Sequence, residues 1–82
     1  MNNLTALEIQ QAFDWNVQVY SRSNGYELDV SKNFTEKEVT DIMKGMGCVP
    51  YAYIPGAWIR GETVAIPFYG SLSGFKKKGG AL

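Results

Sequence analysis

Two copies of one short pattern govern what this chain can fold into. Leu4-Thr5-Ala6-Leu7-Glu8-Ile9 and Phe34-Thr35-Glu36-Lys37-Glu38-Val39 each read apolar, threonine, two residues, glutamate, apolar. A threonine at a helix N-cap accepts from the backbone N–H three residues on. The glutamate at that position reaches back to the cap, and the flanking apolar side chains clasp each other. Helix N-termini are therefore expected at Thr5 and Thr35. Behind the first, Ile9, Ala12 and Phe13 continue an apolar stripe to about residue 14. Behind the second, Val39, Ile42, Met43 and Met46 fall at i, i+3, i+4 and i+7, which carries the helix to about residue 46. Lys44 suits the negative end of that helix, and Gly45 and Gly47 supply stop signals. Met43 and Met46 read as gap-filling core rather than as a recognition patch.

Between the two helices, Asn24-Gly25 is the strongest short hairpin signal, because a type I′ turn asks for positive φ at both central residues. A hairpin closed there pairs Arg22 with Glu27, Tyr20 with Asp29 and Val19 with Val30. Val17, Val19, Tyr26, Leu28 and Val30 then share a buried face. Asn16, Gln18, Tyr20, Arg22, Glu27 and Asp29 share a polar one.

Past the second helix, residues 51–54, 57–60 and 63–69 read as three short strands turning at Pro55-Gly56 and Gly61-Glu62. A looser loop over 55–61 between two longer strands is the other reading, since Pro-Gly suits a type II turn better than a tight hairpin. Alternation gathers Ala52, Ile54, Ala57, Ile59, Val64, Ile66 and Phe68 on one face, the expected floor of the core. It gathers Tyr51, Tyr53, Trp58, Arg60, Thr63, Ala65, Pro67 and Tyr69 on the other, the expected contact surface. The same aromatics would be ordinary core if a helix or the tail covered them. The expected architecture is an α+β domain over 1–70: two short capped helices packed on an antiparallel four- or five-stranded sheet, order α-β-β-α-β-β(-β). A flexible tail rich in glycine and lysine follows over 71–82.

The chain has 82 residues, 45% of them hydrophobic, which is enough for one small core and argues against disorder. It contains no histidine and one cysteine. That removes the Ser-His-Asp and Cys-His arrangements, an internal disulfide and a four-ligand zinc site. Cys48, between apolar neighbours, reads as a buried free thiol. Glu27 and Asp29 share a strand face, but an ion pair with Arg22 accounts for the first acid as well as a divalent metal would. No glycine pair has the spacing of a phosphate loop. Catalytic residues, metal ligands and cofactors are therefore not expected. The start has no basic region followed by an apolar run, and no stretch reaches the roughly 20 apolar residues that span a bilayer, so a cytoplasmic protein without membrane contact is expected.

Charge is unevenly placed within a net charge of zero. Residues 1–70 hold eight acids against five bases, and residues 71–82 hold Lys76, Lys77 and Lys78 with no acid. A mildly acidic body is poorly suited to gripping duplex DNA. The function expected is binding rather than catalysis, with Tyr51, Tyr53, Trp58, Arg60 and Tyr69 occupying the surface of a larger host protein or complex. An accessory inhibitor of phage or mobile-element type has this size and economy. Tyr, Trp and Arg are the residues that dominate interface hot spots. Glu36, Glu38 and Asp41 form a separate negative helix face, which reads first as solvated surface and otherwise as a face useful against a basic partner, and a second copy of the chain is a further candidate partner. The alternative is single-stranded nucleic-acid binding, in which bases stack on the same aromatics while Arg22 and Lys76–Lys78 meet phosphates.

Overall fold

A computed structural model describes residues 2–69; the tail expected over 71–82, with Lys76, Lys77 and Lys78, lies outside the described residues. Both threonines cap as their pattern requires. The Glu8 N–H donates to Thr5 Oγ1 at 3.2 Å while the Thr5 N–H donates to the Glu8 carboxylate at 3.2 Å, opening α1, Ala6–Ala12. The Thr35 pair repeats this at 3.2 and 2.9 Å and opens α2, Glu36–Gly45. The apolar residues flanking these caps, Leu4, Ile9 and Val39, are all buried, and Phe34 packs beside them.

The two helices also stop alike. Past the C-cap of α1, the Asp14 and Trp15 N–H groups donate to the carbonyls of Gln11 and Gln10; past the C-cap of α2, those of Gly47 and Cys48 donate to Lys44 and Met43. This is the Schellman arrangement, which satisfies two of the orphaned carbonyls at each helix end. Its left-handed position is filled by Gly47 in α2 (φ 81°) but by Asp14 in α1 (φ 57°), and Trp15 follows it at φ 62°.

Five strands, β1 Gln18–Arg22, β2 Gly25–Asp29, β3 Val49–Pro50, β4 Trp58–Arg60 and β5 Thr63–Phe68, form one sheet in the order β1-β2-β5-β4-β3. The molecule is thus a compact α+β globule of order α-β-β-α-β-β-β. Its sheet is mixed, because β2 and β5 run parallel while the other three pairings are antiparallel. Hairpin signals report only strands adjacent in sequence, and the parallel pair is closed by the whole α2-β3-β4 connection. Val64 donates to the Asn24 carbonyl and Val30 to that of Phe68, so the even positions of β5 turn their backbone groups toward β2. Pro67 therefore turns its missing N–H toward the β4 side, where the last pair is Trp58 with Ala65. That is the one kind of place a central strand tolerates proline.

The first hairpin pairs Arg22 with Gly25, Tyr20 with Glu27 and Val19 with Leu28, two residues out of the expected register. A slip of two leaves every side chain on its face: Val17, Leu28 and Val30 are buried, and Val19 and Tyr26 pack against them. The turn is Ser23-Asn24, and neither Asn24 nor Gly25 takes a positive φ. Gly25 is glycine for another reason. A Cβ there would overlap the Val64 carbonyl oxygen across the parallel pair.

The second hairpin has the expected register, Ile59 with Val64 and Arg60 with Thr63, around Gly61 at φ 64°. Positive φ at the first central residue is what a type II′ turn requires. Residues 51–54, expected as a strand, instead belong to a loop of residues 51–57. The strand before it is Val49–Pro50, pairing Val49 with Ile59 and Pro50 with Trp58. The core comprises Leu4, Ile9, Phe13, Val17, Leu28, Val30, Val39, Met43, Cys48, Trp58 and Ala65. Met43 is fully buried and Met46 packs on this cluster, so both methionines are core.

Candidate contact site

The expected contact face of the second half is the face that the helices cover. Tyr26 and Leu28 of β2 pair with Ala65 and Pro67 of β5, and Ala65 pairs with Trp58. Because Leu28 points into the core, alternation carries Trp58, Ala65 and Pro67 in with it. Trp58 is 8% exposed and Ala65 fully buried. The expected aliphatic floor, Ile59, Val64, Ile66 and Phe68, lies half-buried on the opposite face, and Ala52 and Ile54 are exposed on the loop. Only Ala57, at 3% exposure, is buried from that set.

Arg60 is likewise turned inward. Its Nε donates to the Asn2 carbonyl at 3.1 Å, Nη1 to the Met46 carbonyl at 2.9 Å, and Nη2 to the Asn3 carbonyl at 3.2 Å. Nη2 also meets both Glu8 carboxylate oxygens at 2.6 and 2.7 Å. The Arg60 hydrogen bond, with help from Thr5, holds the Glu8 carboxyl below its ordinary value against the opposing effect of desolvation. This guanidinium joins the start of the chain, the first turn of α1 and the end of α2. Its donors are committed to the fold.

Tyr51, Tyr53 and Tyr69 remain of the five expected contact residues. Tyr53 is 84% exposed, and its ring lies 5.3 Å from that of half-buried Tyr51. The loop is held at its base, where the Tyr51 N–H donates to the Ala57 carbonyl at 2.9 Å and the Ala57 N–H to the Ile54 carbonyl at 3.1 Å. Gly56 takes φ 82° within it. Tyr69, at the end of β5, is half exposed. Burial raises its phenol pKa, and the Glu36 charge adds to the shift.

Two grooves meet at Tyr51. One, of about 160 Å³, lies between the first turn of α2 and the loop, lined by Glu36 and Thr40 on one side and by Tyr51, Trp58 and Tyr69 on the other. The second, of about 340 Å³, opens on the sheet face away from the helices. It runs over Val64 and Ile66 between Ile54 and Arg22. The first is smaller than the roughly 300 Å³ at which small-molecule pockets begin, and the second only just reaches it. Ile54 and the exposed Trp15 belong to the accessible apolar surface as well; a strand reading of 51–54 hides the first, and no local signal marks the second.

The remaining chemical candidates are accounted for structurally. Glu27 is buried at 5% exposure and ion-paired with Arg22, and Asp29 accepts from Ser31 Oγ at 3.2 Å. Their association survives the changed register because Arg22 and Glu27 become diagonal neighbours on one face. Cys48 is 4% exposed, and burial pushes its thiol pKa up, which disfavours the thiolate. Among the described residues no cluster of three or more Cys, Asp or Glu is placed to hold a metal, and no helix is long and apolar enough to cross a membrane. No family model, curated protein or solved structure matches this chain.

Proposed function

We propose that this chain is a binding protein that occupies the surface of a larger protein or complex through the loop of residues 51–57. Tyr53 is its leading contact, with Tyr51 and Tyr69 beside it. The observation that carries this reading is the exposure of Tyr53, 84%, on a loop whose base is hydrogen-bonded in place. A tyrosine so displayed contributes little to the fold. On a pre-ordered loop it can bury a large amphipathic ring against a partner at small entropic cost. Trp58 and Arg60 support the reading indirectly, by anchoring β4 beneath the loop.

The nucleic-acid alternative draws on the same three tyrosines but has lost its nearest cation, since the Arg60 donors are engaged. The experiment is capture of partners from lysate with the tagged full chain, with and without nuclease, alongside a Tyr53→Ala variant. A protein partner retained after nuclease and lost with Tyr53→Ala supports the interface. Recovery that disappears with nuclease transfers the function to single-stranded nucleic acid.

A further inference from the structure

The groove between α2 and the loop differs from the rest of the contact surface in carrying a carboxylate among aromatic rings. Tyr51, Tyr69 and the largely buried Trp58 line it, together with Glu36 in the first turn of α2. Among the described residues no cation is paired with Glu36, whereas Glu8, Glu27 and Asp41 each have one. Its charge reaches the Tyr69 phenol across the groove. Ring faces and a carboxylate both attract a cation, and ring faces discriminate against a second anion. The geometry points to this groove as the seat for one arginine or lysine side chain of a basic protein partner, clasped between the tyrosines and paired with Glu36.

Size and charge support that occupant. A volume of about 160 Å³ admits a single side chain and excludes a nucleotide or cofactor. Residues 1–70, with eight acids and five bases, are mildly acidic, which suits a cationic side chain at close range. Glu36 carries none of the capping duty of Glu38, which reaches back to Thr35, so Glu36→Gln leaves the α2 cap hydrogen bonds in place and removes one favourable charge from the helix start. The inference rests on the binding reading above and assigns the partner's chemistry at one of its contacts.

The test uses the isotope-labelled full chain and two blocked tripeptides, acetyl-Gly-Arg-Gly-amide and its neutral citrulline isostere, followed by NMR. The arginine peptide is expected to shift the Trp58 indole N–H and the Tyr51 and Tyr69 ring signals saturably. Affinity should fall about fivefold or more for citrulline, and likewise for arginine on Glu36→Gln, the size of one lost cation contact. Equal binding of the two peptides, or no shift at the groove with millimolar peptide, overturns the proposal. A control joins Lys76→Ala, Lys77→Ala and Lys78→Ala in one chain without peptide. Unmoved groove signals are expected; if they move, the chain's own lysines fill the groove and the partner assignment falls. Tyr53 does not line this groove. A partner that binds Glu36→Gln normally but is lost with Tyr53→Ala would therefore sink the groove and leave the interface standing.

Discussion

Arg60 shows how one side chain can hold a small domain together. Its donors reach Asn2, Asn3, Met46 and Glu8, groups separated from it by 14 to 58 residues of chain. Arg60→Ala leaves the part-buried Met46 carbonyl without its charged donor, a bond in a class worth about 1.5–3 kcal/mol. The urea midpoint should fall accordingly. Arg60→Lys should recover little, because one ammonium cannot reproduce a planar fork aimed at three segments. A pH dependence follows from the same contact. The Glu8 carboxyl is held below its ordinary value of 4.5 chiefly by the Arg60 hydrogen bond. A depressed carboxylate contributes stability that is fully present above the unfolded-state pKa and is lost as pH falls through the folded one. Denaturation followed downward from about pH 7 should therefore show a loss beginning below pH about 5. Glu8→Gln should flatten that loss, since glutamine still completes the capping box but no longer titrates. An unchanged acid limb in Glu8→Gln would remove this contact from the account. Nothing local marks Arg60 for this work. Alternation places it with Trp58, which is correct, but its partners lie on segments whose docking no short pattern encodes.

Single elements were legible where a signal was local, and they misled where one residue type served two purposes. The capping boxes at Thr5 and Thr35 fix both helix starts because all four partners fall within four residues. Gly61 marks its turn for the same reason. Gly25 looks like turn chemistry but is required by the backbone of Val64 across the parallel pair. Gly25→Ala should therefore cost about 3 kcal/mol or more by forcing β2 and β5 apart, read as a lowered urea midpoint and faster amide exchange at Val64. A mild effect would show that the pair can part cheaply. The α1 terminus carries the opposite mismatch. Asp14 fills the left-handed position that Gly47 fills in α2, and it sets a negative charge at the negative end of a helix. A non-glycine residue there costs about 1–2 kcal/mol, partly offset by the extra freedom glycine has when unfolded. Asp14→Gly should raise stability by about 0.5–1 kcal/mol. Asp14→Asn, which removes the charge alone, should recover only part of it. Destabilisation by both would mean the carboxylate has a partner in the folded chain.

At the scale of the whole molecule, alternation along β4 and β5 sorted side chains into two faces correctly, and the assignment of those faces to core and solvent was inverted. Within a strand, period two says which residues travel together; which set is buried depends on the neighbours the strand acquires. Here the parallel partner decides. Leu28 and Tyr26, already committed to the core by the first hairpin, bring Pro67 and Ala65 in beside them and Trp58 with those. Proline and alanine leave room under the helices that a tryptophan can fill. The consequence separates two aromatic residues that look equivalent in the sequence. Trp58→Ala removes a side chain 8% exposed from the core and should cost about 3–5 kcal/mol. Tyr53→Ala, at a position 84% exposed, should move stability by no more than about 0.5 kcal/mol. Binding should respond in the reverse sense. Tyr53→Ala is expected to weaken the partner complex tenfold or more, about the 1.4 kcal/mol expected for loss of an interface anchor, at an unchanged urea midpoint. Trp58→Phe, which keeps an aromatic ring in the core, should bind nearly as the wild type does once the folded fraction is matched. The pair of measurements, urea midpoint and complex affinity on both variants, is what divides scaffold from contact. If Tyr53→Ala proved as destabilising as Trp58→Ala, the loop would be part of the scaffold, and the contact surface would have to be sought on the open sheet face over Val64 and Ile66.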